Sequence, residues 1–143
     1  MMKTPLHISL FLFLALVLGS CTRNHGDIGM WFGTWHVESI TADEQPVNDA
    51  EGDYFFQFQS KVFRVSQVSG HETLVESFGT WAEDADNGKM TITFPDPGVY
   101  YIEMRGLEEH NDFTVTMASS RDVTLVKTDA AGITYAYHLK KQP

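Results

Sequence analysis

Cysteine is the residue type with the most reactive chemistry to offer here, and the chain holds one, Cys21. A single thiol cannot form an internal disulfide, so its position has to explain it. The six histidines are His7, His25, His36, His71, His110 and His138, and none pairs with another at metal-ligand spacing. Zinc sites are usually built from local pairs of ligands, so no metal is expected. Glu83, Asp84, Asp86 and Asn87 have the composition of a calcium loop. The order fails, because Gly88 falls where a third ligand belongs and Pro95 stands where a closing glutamate is needed. Glu76, Glu103, Glu108 and Glu109 offer carboxylates for acid–base work, but no spacing among them selects a pair. There is no Gly-x-Ser-x-Gly nucleophile elbow. These absences predict a protein that is not an enzyme and uses no cofactor. What remains is an aromatic row, Tyr54, Phe56 and Phe58, followed by Phe63 and Val65. Such a row either fills a core or lines an apolar pocket.

The segment that positions Cys21 is an address. Lys3 supplies a minimal positive start, and Leu6 to Leu18 is apolar apart from His7 and Ser9. That run is short of the ~20 residues a membrane helix needs, and it suits the apolar region of a signal peptide. Leu18-Gly19-Ser20-Cys21 then resembles the lipobox of bacterial lipoproteins. The resemblance implies diacylglyceryl transfer to the Cys21 thiol and cleavage just before it. Acyl chains anchor at ~0.8 kcal/mol per buried CH₂, so a lipidated Cys21 would hold the chain to a membrane. Inner-membrane retention in many Gram-negative lipoproteins uses Asp after the cysteine. Thr22 stands there, which implies the outer membrane. Surface-exported lipoproteins often carry an acidic run next, and Thr22-Arg23-Asn24-His25-Gly26 has none, which implies the periplasmic face. The expected organisation is residues 1–20 as signal peptide, 21–29 as a lipidated flexible tether, and 30–143 as one domain.

Charge narrows the partners. The net charge is −9, and because Lys3 is the only charge before Cys21, removal of residues 1–20 leaves −10. An acidic domain repels phosphate backbones, so nucleic acid is not expected as a partner. The same balance argues against adhesion to anionic lipid through basic residues.

From Met30 onward, period-2 alternation recurs and helical periodicity is scarce. Strands are predicted over 34–41, 54–58, 63–66, 73–82, 90–94 and 99–106, then around Phe113 to Met117, Val123 to Leu125 and Ile133 to Lys140. Asn87-Gly88 predicts a type I′ hairpin turn, with both residues at positive φ. About nine strands at this spacing predict an all-β protein. Closure into a barrel removes the exposed edge that an open sheet would leave, and a two-sheet sandwich is the competing architecture.

Gly33-Thr34-Trp35, at the start of the first strand, resembles the Gly-x-Trp signature of lipocalins. A second copy, Gly79-Thr80-Trp81, leads into the Asn87-Gly88 hairpin, a layout similar to lipocalin-like lipoproteins of the Bacteroidetes type. The resemblance covers most of residues 30–141. It implies an up-and-down antiparallel barrel of about eight strands, with Gly33 and Trp35 as the structural plug of one end. The chain departs from true lipocalins in two places. Thr128-Asp129-Ala130 lacks the tyrosine of their second signature, and Lys140 and Lys141, poor substitutes, stand where an arginine would stack on the plug.

Two functional readings remain open. In the first, the barrel holds a small apolar or amphipathic molecule, lined by Tyr54, Phe56, Phe58, Phe63, Val65, Met90, Ile92 and Tyr135. In the second, the interior is filled, and the outer face or loops bind an envelope protein, with Tyr101, Phe55 and Trp31 as exposed anchors.

Overall fold

Alternation along each strand leaves one apolar face, and among the described residues no second layer covers it, so the sheet covers that face with itself. The computed structural model describes residues 29–47, 53–95 and 106–143. Cys21, its lipobox and residues 99–105 of the sixth predicted strand, with Tyr101, lie outside them.

The elements are β1 (Gly33–Ala42), β2 (Gln45–Pro46), β3 (Asp53–Gln59), β4 (Val62–Ser69), β5 (Glu72–Asp84), β6 (Lys89–Thr93), β7 (His110–Ser119), β8 (Asp122–Thr128) and β9 (Thr134–Lys141). Strands β3 to β9 follow each other as antiparallel neighbours, and β1 pairs with both β3 and β9. The result is a closed eight-stranded antiparallel barrel, with β2 as a two-residue ribbon on the end of β1. Strand β6 pairs directly with β7.

Antiparallel register divides the barrel into two ends. The starts of β1, β4, β6 and β8 and the finish of β9 lie at one, called here the Trp35 end. The turns after β1, β4 and β8 and the connection from β6 to β7 lie at the other, called the Tyr54 end.

The two Gly-Thr-Trp copies are glycine for different reasons. Gly33 has φ 122°, a backbone conformation that L-residues rarely adopt. It sits under the Lys141 stem, with Cε 3.6 Å from where a Cβ would stand. Lys141 Nζ lies 5.7 Å from the Trp35 ring centroid, and Trp35 is fully buried. The expectation that lysine would fail to replace the stacking arginine is therefore corrected. A long stem crossing a side-chain-free glycine brings an ammonium over the indole at cation–π distance. Gly79 has ordinary φ, and its requirement is close approach. A Cβ there would overlap the Thr93 carbonyl oxygen and stand 3.2 Å from Phe94 Cδ1. Its absence lets Phe63 on β4 meet Phe94 beyond β6, edge-on at 6.0 Å, across the intervening β5.

The hairpin after β5 also differs from its expectation. Asp84 pairs with Lys89, and Ala85–Asn87 forms a 3₁₀ turn with only Gly88 left-handed at φ 61°. Four residues span this turn, so the positive φ that a two-residue type I′ turn demands at both central positions is needed at one.

Gly79→Ala should destabilise the fold by about 1–3 kcal/mol, because β5 and β6 must separate to admit a methyl group. Urea unfolding should show a lowered midpoint with the slope unchanged, and the exposed neighbour change Thr80→Ala should move it far less.

Candidate functional site

The barrel interior is built from alternate residues of each strand. Phe56, Phe58, Phe63, Val65 and Ile92 are fully buried, Met90 is nearly so, and Tyr54 and Tyr135 keep slight exposure. All eight sequence-predicted lining residues are therefore buried, together with Trp35. They do not face one open space. Phe63 lies 5.1 Å from Phe56 and 5.2 Å from Phe58, and Phe58 meets Trp81 edge-on at 5.1 Å. Phe56 reaches Tyr137 on β9 at 6.0 Å, passing over β1, and Tyr137 meets Phe113 on β7 at 5.9 Å, passing over β8. Each such pair contributes about 0.5–1.5 kcal/mol beyond its area burial. Rings from strands that are not neighbours thus bridge the barrel and make a floor toward the Trp35 end.

The Tyr54 end carries the polar groups. Asn111, fully buried on β7, uses its whole hydrogen-bonding capacity. Its Nδ2 donates to the Ile92 carbonyl at 3.1 Å and the Glu108 carbonyl at 2.8 Å. Its Oδ1 accepts from Glu108 N at 2.8 Å and from Lys127 Nζ at 2.7 Å. Lys127 is buried on β8, and its Nζ also donates to the Gly106 carbonyl and to Glu108 Oε2 at 3.2 Å. Three donors meet three acceptors, as a buried ammonium requires. Gly106 lies so close to Tyr135 and Tyr137 that a Cβ would overlap the Tyr135 ring and the Tyr137 hydroxyl. The chain from Gly106 to Glu109 is therefore pinned against the interior by Lys127 and Asn111. Glu108 Oε1 accepts from Ala130 N at 3.0 Å and joins this segment to the β8–β9 turn. That backbone bond holds the Glu108 carboxyl below its usual range; partial burial opposes it and the Lys127 bond adds to it.

Sequence reasoning missed Asn111 and Lys127. The one signal was their place on the inward face of alternating strands, Asn111 two before Phe113 and Lys127 two after Leu125.

Among the described residues, two buried polar atoms inside the barrel have no hydrogen-bond partner: Ser77 Oγ, on a residue 1% exposed, and Trp81 Nε1. Both lie on β5, on either side of Gly79. Unpaired buried hydroxyls are uncommon enough to mark a place of interest.

Beyond His36 the β1–β3 register stops, and a recess of about 160 Å³ opens beside Val37, Ile40 and Tyr54. His36 Nδ1 bonds Glu38 at 3.0 Å and Nε2 bonds Asp53 at 3.1 Å, while its ring packs against Phe55 at 5.1 Å. Burial lowers the His36 pKa, and the two carboxylate bonds outweigh it, leaving it above 6.5. Among the described residues, no three His, Cys, Asp or Glu side chains converge to hold a metal. Of the expected outer anchors, Phe55 is half-buried under His36 and Trp31 is buried, because each ring takes a place out of water.

Asn111→Ala should cost about 3 kcal/mol or more, because it strips a bond from a buried ammonium and from two backbone carbonyls; chemical denaturation reads this directly. A raised folded-state pKa adds stability below the unfolded value and loses it as pH rises through the folded value. His36→Asn should therefore lower Tm relative to wild type more at about pH 5 than at about pH 9, a difference that calorimetry at the two pH values resolves.

No protein-family model and no curated protein matches the sequence. Solved structures match the fold. A lipocalin-like protein from Bacteroides uniformis superposes with TM-score 0.60 at 16% identity, covering 80% of this chain and 100% of its own. An uncharacterized protein from Bacteroides eggerthii superposes with TM-score 0.56 at 14% identity, covering 78% of this chain and 99% of its own. At such identities the likeness is one of fold alone: this chain forms a closed eight-stranded barrel of the lipocalin-like kind.

Proposed function

We infer that this protein is a non-catalytic binder of a small apolar or amphipathic molecule, carried by a barrel that a lipid on Cys21 holds in the cell envelope, at the periplasmic face of the outer membrane. The Ser77 hydroxyl carries the reading. It is 1% exposed, faces the interior and lacks a partner. A buried hydroxyl without a bond costs about 1–3 kcal/mol, which a polar atom of a ligand would offset. Its surroundings suit an amphipathic guest. The aromatic floor lies toward the Trp35 end, and Tyr54 and Tyr135 stand at the other, beside an Asn111–Lys127 network whose bonds are made within the protein. Such apolar sites with a few placed polar groups are the usual form of small-molecule sites. The anchor is supported by Leu18-Gly19-Ser20-Cys21, and the outer-membrane placement by Thr22.

A second reading, a filled scaffold for an envelope protein, is favoured by one observation. Phe78 is 53% exposed and Val62 47% exposed, and they border an outer groove of about 330 Å³ with Gln57, Gln59 and Arg64. Exposed aromatic side chains beside a groove are the form that interface anchors take.

Native mass spectrometry of the chain recovered from its own organism should show a reproducible small-molecule adduct and a diacylglyceryl mass on Cys21. Ser77→Ala should weaken that adduct by about 5- to 100-fold, the loss of one buried hydrogen bond. Bare protein in both forms, with Phe78 crosslinking to one dominant envelope protein, would instead establish the scaffold reading.

A further inference from the structure

Charge is divided between the two ends of the barrel. The strand termini at the Trp35 end carry Lys61, Lys89, Arg121, Lys140 and Lys141. Elsewhere among the described residues the basic side chains are Arg64, whose Nε donates to Glu76 at 2.8 Å on the outer wall, and buried Lys127. The Tyr54 end carries Asp43, Glu44, Asp53, Glu72, Glu109 and Asp129. Among the described residues, negative charge is thus concentrated away from Trp35.

The basic end has acidic neighbours of its own. Glu83 and Asp84 finish β5 and Asp86 lies in the turn that follows, and Asp122 bonds His138 at 2.6 Å. Most of the basic residues lie on the arc away from that turn. Lys141 N donates to the Arg121 carbonyl at 3.0 Å, and Arg121 Nη2 donates to the Lys141 carbonyl at 3.5 Å, joining the β7–β8 turn to the end of β9. Gln142 N then donates to Thr34 O at 2.9 Å at the start of β1, and the β3–β4 turn with Lys61 follows round the rim. The same end presents apolar side chains to water: Phe32 is 40% exposed, Val62 47% and Met117 56%.

We propose that this arc is a docking surface for an anionic phospholipid bilayer, on which the barrel stands with its Trp35 end down and its Tyr54 end toward water. The proposal rests on the reading that the residues before Met30 attach the chain to a membrane. Strand β1 begins at the Trp35 end, so the attached segment joins the barrel there. Residues 21–29 reach at most ~30 Å, long enough for the barrel to turn on its attachment, so its surface selects the orientation. Basic side chains near anionic headgroups are attracted, and exposed apolar ones enter the interfacial layer. The acidic end is repelled. The net negative charge does not forbid this, because screening over ~8 Å lets the nearest charges outweigh the distant ones.

Site-directed nitroxide labelling of the full chain tests the orientation. A Cys21→Ser chain that keeps residues 1–20 should stay on vesicles through its apolar leader, which flotation checks first. The outcome is thereby independent of whether Cys21 accepts a lipid, which the mass of the wild-type chain reads separately. Ser120→Cys at the Trp35 end and Ala131→Cys at the Tyr54 end are both exposed positions, and each is then the only thiol. With nickel chelated to lipid headgroups in phosphatidylcholine vesicles holding about 30% phosphatidylglycerol, the label at 120 should relax at least about threefold faster than the label at 131. The ratio should fall toward one in phosphatidylcholine alone, in about 0.5 M salt, and in the exposed triple variant Lys61→Glu, Arg121→Glu, Lys140→Glu. Equal relaxation at both positions in anionic vesicles, or faster relaxation at 131, overturns the proposal. If the triple variant does not fold, the lipid and salt comparison on the unvaried surface decides alone.

Discussion

Strand β1 has to pair on both of its edges for the sheet to close, and it does so unequally. It follows β9 from Trp35 to Ala42 through a bulge between Val37 and Ser39, but follows β3 only from Gly33 to His36. Closure is therefore complete where Trp35 sits and relaxed beyond it. Trp35 is the first inward residue of the doubly paired stretch, and Lys141 covers its face from the last residue of β9. Without the β1–β9 pairing, β1 and β9 would lie at opposite edges of an open sheet, and Phe56 and Tyr137 would have no means of meeting.

The unequal pairing accompanies the gradient inside the barrel. Where the ladder is complete, the interior is a packed set of rings, with Gly79 omitting a side chain so that Phe63 and Phe94 touch. Where it is relaxed, the interior admits Asn111 and Lys127, and the chain from Gly106 to Glu109 comes in to satisfy them. A buried ammonium is tolerated only with full coordination, so Lys127 and its acceptors have to be present together. The mouth is thus held by a polar network and the floor by dispersion and ring geometry.

A barrel of this kind carries no activity by itself, and the specific content of this one lies in what it leaves unpaired and where it puts charge. The hydroxyl of Ser77 is unpaired inside, and Phe78 on the next residue is exposed outside, so adjacent positions of β5 serve the two functional readings on opposite faces of one strand. The distribution of ionised groups is a property of the ends. Turns collect the charged residues, and the antiparallel order sends alternate turns to opposite ends.

The strands, their inward faces and the all-β class were legible in the sequence because alternation is local, and residues two apart share a side in any strand. Burial of Trp35, Phe56 and Phe63 follows from that rule alone. The glycines of the two Gly-Thr-Trp copies were legible as motifs but not as mechanisms, since one answers to a backbone angle and the other to a neighbouring carbonyl. The I′ turn was misread because turn length depends on which residues pair across the strands, and Asp84 with Lys89 is a choice of register. Residue order alone sets the period and polarity of each segment, and a lone Cys21 behind an apolar leader. It took the closed barrel to bring Lys141 over Trp35, to join Lys127 and Asn111 in one buried network, and to stand Lys61, Arg121 and Lys140 at one end. Those are meetings between strands distant along the chain, fixed by closure and register, which no local pattern encodes.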